Sequence, residues 1–133
     1  MTNILVYGAT GAQGRPVVRQ LIAAGHSVRI LLRANEEAPD LVGLGAHPVI
    51  GDMTDPDSLA RASDGVTGVF LLVPFLDPKT EYGINAIDAA VRAGVKRIVW
   101  NASGAIPPVE TGNPGIDMRQ VIASVFDRGS FLE

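Results

Sequence analysis

The sequence predicts a doubly wound α/β domain: a parallel sheet of five to six strands with helices on both faces. Three observations carry this. Five short runs rich in Val, Ile and Leu, at 4–7, 28–32, 48–50, 69–73 and 98–100, show no clean polar alternation, which is how strands buried on both faces read. Segments of helical spacing lie between them, including Val17, Val18, Leu21 and Ile22 after the first run and Ile84, Ile87 and Val91 before the last. A turn containing Gly8, Gly11 and Gly14 joins the first strand to the first helix. Strand and helix in alternation wind a parallel sheet through right-handed crossovers.

Each element has its own local signal. The strand Ile4–Tyr7 runs into the glycine turn, and the helix after it stops at Gly25, where glycine takes positive φ without a Cβ clash. Val28–Leu32 forms the second strand, and residues 34–45 hold one short helix. Pro48–Ile50 is the third strand. Asp55-Pro56 and Asp77-Pro78 each set a capping side chain before a proline at the first helical position, so each opens a helix. Val69–Val73 lies between these two starts. Gly94 ends the later helix, and Ile98–Trp100 is the fifth strand.

Beyond it, residues 101–115 hold three prolines and three glycines and read as a long loop above the sheet, a length often tied to function. Ile116, Met118, Val121, Ile122, Val125 and Phe126 then resume helical spacing, and Phe131-Leu132 begins a sixth strand. No repeat or linker divides the chain, so residues 1–133 are one domain. Doubly wound sheets normally continue past this point, so the sequence reads as cut off before its substrate-binding part.

Composition narrows the function. Eleven Lys and Arg against fourteen Asp and Glu give a net charge of −3, the wrong sign for a nucleic-acid binder. The nearly uncharged run 66–76 is too short to span a bilayer, and Met1-Thr2-Asn3 carries no basic leader; the expectation is a cytoplasmic protein with no membrane partner. With no cysteine there is no disulfide framework, thiol nucleophile or zinc-thiolate cluster, and no metal site is expected.

The chemistry lies at the glycine turn, Gly8-Ala9-Thr10-Gly11-Ala12-Gln13-Gly14. Between a strand and a helix, its backbone amides and the helix N-terminus converge on one spot that attracts a phosphate. Glycine at 8 permits the turn, at 11 lets a pyrophosphate approach the main chain, and at 14 lets the helix pack closely. Gly8, Thr10, Gly11, Ala12, Gln13 and Gly14 are the expected cofactor contacts. A Walker triphosphate loop would need Lys and then Ser or Thr after the last glycine, where this chain has Arg15-Pro16.

Other candidates sit at the strand ends. Arg33 follows the second strand with no acid beside it, which favours NADP over NAD because a guanidinium pairs with a 2′-phosphate. Asp52 follows the third strand, placed either to accept from an adenine amino group or simply to form a turn. Val73, Pro74 and Phe75 end the fourth strand, apolar and able to lie against the adenosine or nicotinamide, with a core aromatic as the alternative for Phe75. Asn101 and Ser103 end the fifth, where either could orient a substrate carbonyl near a nicotinamide.

Together Ile4–Gly14, the strand Val28–Arg33, Gly51-Asp52 and Ala93-Gly94-Val95-Lys96-Arg97-Ile98-Val99-Trp100 resemble the NmrA-like family of atypical short-chain dehydrogenases. The resemblance implies an NAD(P)-binding Rossmann fold. Some members reduce small electrophiles such as quinones or phenylpropanoid ethers with NADPH, while others bind cofactor without turnover as redox sensors for a transcription regulator. It also implies that the phosphate loop is Gly8, Thr10, Gly11, Gln13 and Gly14, that Arg33 meets the 2′-phosphate, and that Asp52 with Met53 meets the adenine.

The departures concern catalysis. The Tyr-x-x-x-Lys pair of typical members is absent, since Tyr7 and Tyr82 are followed four residues on by Gly11 and Ala86. No lysine follows Lys96. The first expectation is therefore an NADPH-dependent reductase of a small carbonyl, quinone or similar electrophile, acting by hydride transfer with Asn101 and Ser103 as candidate catalytic residues. Alternatives are a non-catalytic redox sensor or interaction module, or a truncated inactive product. An exposed sheet edge would then invite a homo-oligomer.

Overall fold

The computed structural model describes residues 2–73, 80–101 and 112. Five strands, β1 (Asn3–Val6), β2 (Ser27–Leu32), β3 (His47–Ile50), β4 (Gly68–Leu71) and β5 (Arg97–Trp100), form one sheet in the order β3-β2-β1-β4-β5. Every neighbouring pair is parallel, with Val6 opposite Ile30 and Phe70, and Leu71 opposite Trp100. Helices α1 (Gly14–Ala23), α2 (Pro39–Gly43), α3 (Pro56–Ser63) and α4 (Thr80–Arg92) connect them. This is the Rossmann-like doubly wound architecture. The Asp77-Pro78 cap, the helix at 116–126 and the strand at 131–132 lie outside the described residues, as does nearly all of the loop 101–115.

The strand β1 shows why the sheet needs helices on both sides. Leu5 and Tyr7 enter one core with Leu59, Ala62, Val69, Leu71, Ile87 and Ala90, which come from α3, β4 and α4. The intervening Val6 enters a second core with Val18, Val28, Ile30, Leu32 and Leu41, from α1, β2 and α2. Alternate side chains of a strand point to opposite faces, so an unbroken apolar run feeds two cores at once. Each fully buried Leu or Val contributes roughly 1.5–3 kcal/mol relative to exposure.

The expectation of burial on both faces holds for the inner strands and fails at the two ends of the described sheet. Ile50 of β3 is 60% exposed and Val99 of β5 is 52% exposed. The apolar composition of a strand does not say whether a helix covers it, and neither core reaches these side chains.

The punctuation behaves as its chemistry dictates. Asp55 caps α3, its carboxylate accepting from the Asp57 N–H at 3.1 Å. Gly25 and Gly94, just past α1 and α4, take φ of +90° and +74°. Among the described residues no helix is long and apolar enough to cross a membrane. The chain leaves β1 toward β2 and β3, then returns to lay β4 and β5 on the other side. That reversal opens a crevice beyond the carboxyl ends of β1 and β4.

Candidate functional site

The glycine turn stands at the mouth of this crevice. Tyr7 N–H still donates to the Phe70 carbonyl at 2.9 Å, so sheet pairing persists to the residue before the turn. Gly8 then takes φ +71°, and a Cβ there would stand 3.1 Å from the Leu72 side chain. The next bonds run from Gly11 N–H to the Gly8 carbonyl at 3.2 Å and from Arg15 N–H to the Gly11 carbonyl at 3.1 Å, winding the chain directly into α1.

Gly14 is demanded by packing: a Cβ would fall 1.9 Å from the Gly8 carbonyl oxygen and 2.8 Å from Ala9 Cα. Gly11 differs. It has no positive φ, and a Cβ would meet only the Gly8 carbonyl oxygen at 3.6 Å, an ordinary contact. Fold and packing therefore do not require glycine at 11, and the side-chain space it leaves is on an exposed surface. The α1 N-terminus below has no side-chain cap and no acid in its first turn, whereas α3 carries both. An uncapped helix start under a bare main-chain turn suits an anion such as a diphosphate.

Thr10 and Arg33 are brought together by a residue that sequence reasoning missed. Glu36 Oε1 accepts from both the Arg33 backbone N–H and Nε, each at 3.0 Å, and Oε2 accepts from the Thr10 hydroxyl at 3.1 Å. The expectation that no acid stands beside Arg33 is thus corrected. A turn closed by Glu36 N–H on the Arg33 carbonyl at 3.0 Å folds the carboxylate back onto the strand end. Burial pushes the Glu36 carboxyl up, but hydrogen bonds from Arg33 and Thr10 outweigh it and hold the group below its usual range. The only trace of this in the sequence is the three-residue spacing from Arg33 to Glu36. Arg15 is committed elsewhere, donating to the Thr10 carbonyl at 3.0 Å and pairing with Asp40.

Asp52 follows β3 and is exposed. Its Oδ1 accepts from the Thr54 hydroxyl at 2.7 Å and from the Thr54 N–H at 2.8 Å, which together hold its carboxyl below the usual range. The turn role is therefore real, with both bonds ending on one carboxylate oxygen. The next residue, half-buried Met53, is held from α4, where Asn85 Nδ2 donates to its carbonyl at 2.8 Å. At Gly51 before it, a Cβ would stand 2.6 Å from Leu31 Cδ1, the movable end of a side chain.

On the other side of the crevice Val73 is only 6% exposed and belongs to the core of Leu5 and Tyr7. The expectation that its side chain faces a ligand is corrected: Val73 continues the inward alternation of Val69 and Leu71, and what it can offer the crevice is main chain. Asn101 is at the rim, its N–H donating to the Leu71 carbonyl at 2.9 Å and its side-chain amide to the Gln13 side-chain oxygen. That bond joins the end of β5 to the glycine turn. Pro74, Phe75 and Ser103 lie outside the described residues.

The chain has clear relatives. A model of the NmrA-like family matches residues 1–117. An NmrA-like family domain-containing oxidoreductase of Penicillium ochrochloron is 37% identical over 122 residues, covering 82% of this chain and 36% of that protein. The NAD(P)H azoreductase of Xenophilus azovorans is 37% identical over 112 residues, covering 82% of this chain and 39% of its own length. The crystal structure of the Citrobacter sp. triphenylmethane reductase complexed with NADP(H) matches with a TM-score of 0.74 at 25% identity, over 97% of this chain and 46% of that one. The chain spans less than half the length of these relatives.

Proposed function

Because the chain belongs to the NmrA-like family, we propose that it binds NADPH along the carboxyl ends of its strands and takes part in reducing a small quinone, carbonyl or similar electrophile. Gly11 is the observation that carries this reading. An exposed glycine that neither φ nor packing requires, placed over an uncapped helix start, is what close approach of a diphosphate calls for.

The residues divide the ligand among them. Main-chain groups of Gly8, Gly11, Ala12, Gln13 and Gly14 hold the diphosphate, while Thr10 contributes main chain because its hydroxyl serves Glu36. Arg33, its side chain 72% exposed, meets the 2′-phosphate and so prefers NADPH over NADH. Asp52 accepts from the adenine amino group with Met53 alongside, and the Val73 backbone with Pro74 and Phe75 borders the nucleotide. When bound, the reduced nicotinamide supplies the hydride, and the protein supplies orientation and exclusion of competing reactions. Asn101 orients the substrate oxygen, and Ser103 is the nearest sequence candidate for a proton donor.

Calorimetric titration of the purified chain with NADPH and NADH tests the binding step. Saturable heat with NADPH is expected, and no heat with either nucleotide at millimolar concentration overturns the reading. A second reading is cofactor binding without turnover, as a sensor or regulatory module. NADPH oxidation against quinones and azo dyes separates the two, since turnover excludes a pure sensor.

A further inference from the structure

We infer that Glu36 is a specificity-determining residue of this site, restraining the preference for NADPH that Arg33 alone would impose, so that NADH and NADPH bind within roughly tenfold of each other. The inference rests on the dinucleotide reading above and goes beyond it by naming what opposes Arg33.

The geometry places the carboxylate between two parts of the proposed ligand site. Thr10 belongs to the glycine turn and Arg33 directly follows β2, and Glu36 is bonded to both at 3.0–3.1 Å. It thus occupies the gap between the diphosphate position and the adenosine ribose. The Glu36 side chain is 26% exposed against 72% for Arg33, so the acid is the fixed member of the pair and the guanidinium the outward one.

Charge then decides the direction. A 2′-phosphate brings nearly two negative charges to Arg33, which among the described residues is already electrostatically coupled to two carboxylates, Glu36 and Asp52, while the nearby Arg15 is paired with Asp40. The three side chains sum to about one negative charge before any ligand arrives, and like charges oppose a phosphate there. A ribose 2′-hydroxyl brings no charge and can donate to a carboxylate. Geometry adds to this, because Glu36 occupies the Nε side of the guanidinium fork and removes it from bidentate use by a phosphate.

The test uses the full chain with NADPH and NADH as probes, titrated calorimetrically against wild type, Glu36→Gln and Glu36→Ala, with thermal melts to confirm folding. Glutamine keeps an acceptor for the Arg33 N–H and removes the charge. Both variants should raise the ratio of NADPH to NADH affinity by roughly tenfold or more, by tightening NADPH and weakening NADH. Equal changes in both affinities would make Glu36 a structural brace, and a wild-type preference for NADPH of more than roughly tenfold would also refute the inference; in either case dinucleotide binding itself stands. Failure of the wild type to bind either nucleotide removes both.

Discussion

The carbonyl oxygen of Gly8 lies 1.9 Å from the position a Cβ on Gly14 would take, so α1 begins in direct main-chain contact with the turn that precedes it. Two glycines at the ends of one turn thereby fix where the helix axis starts relative to β1. Gly11, between them, takes no part in that packing contact, so folding and the proposed diphosphate binding fall on different glycines of one motif.

Gly14→Ala should therefore destabilise the fold by about 3 kcal/mol or more, because the clash is with backbone that no rotamer change relieves. A fall in melting temperature of roughly 10 °C or more is expected. Gly11→Ala should leave stability within about 1 kcal/mol of wild type, its Cβ making only an ordinary contact, yet weaken NADPH at least tenfold. Parallel melts and titrations check both, and unchanged NADPH affinity in Gly11→Ala would remove the diphosphate from this turn.

Arg33→Ala should weaken NADPH by about 1.5–3 kcal/mol through loss of a charge-assisted contact, leaving NADH nearly unchanged. The loss lies toward the upper end because Glu36 is then left beside the phosphate without its counter-ion. Equal losses for the two nucleotides would contradict the assignment of Arg33 to the 2′-phosphate.

The acid limb of the stability curve should carry the mark of Glu36 and Asp52. Both carboxyls titrate below their ordinary values in the folded chain, Glu36 because bonds from Arg33 and Thr10 overcome its burial and Asp52 because of Thr54. A depressed folded pKa means that the unfolded chain binds the proton first, so their stabilisation is present above about pH 4 and is lost as pH falls through the folded values. Denaturant melts from pH 6 downward should show a shallower decline for Glu36→Gln than for wild type, and an identical slope would rule out the coupling.

Asp55→Ala should cost about 1 kcal/mol, the usual value of a helix N-cap, because the Asp57 N–H loses its acceptor. Asp55→Asn should recover most of it, as measured by urea denaturation.

Tyr7 should behave as a core group whose hydroxyl contributes little. Burial pushes its phenol up to about 12, with Ser63 close enough to offset part of the rise, yet neither hydroxyl makes a hydrogen bond of ordinary geometry among the described residues. Tyr7→Phe should change stability by less than about 1 kcal/mol, which chemical denaturation can resolve.

How much of the site could be read from the sequence follows from how far each interaction reaches along the chain. The glycine turn was legible because its three roles fall within seven consecutive residues, between an apolar run and a helical one. Asp52 was legible as a turn residue, and the bonds from Thr54 to its carboxylate form that turn. Val73 was misread because a strand's end looks the same whether its last side chain turns into the core or out of it.

The order of amino acids by itself determined the alternation of strand and helix, the start of α3 at Asp55-Pro56, the stops at Gly25 and Gly94, and the glycine turn after β1, because periodicity, capping and turn chemistry act over a few neighbouring residues. Tertiary structure alone decided that Glu36 joins Thr10 across 26 residues and that Asn101 meets Gln13 across 88. It also decided that β3 and β5 leave Ile50 and Val99 exposed. Such pairings depend on which strands become neighbours and where the chain reverses direction across the sheet, and local sequence pattern does not encode either.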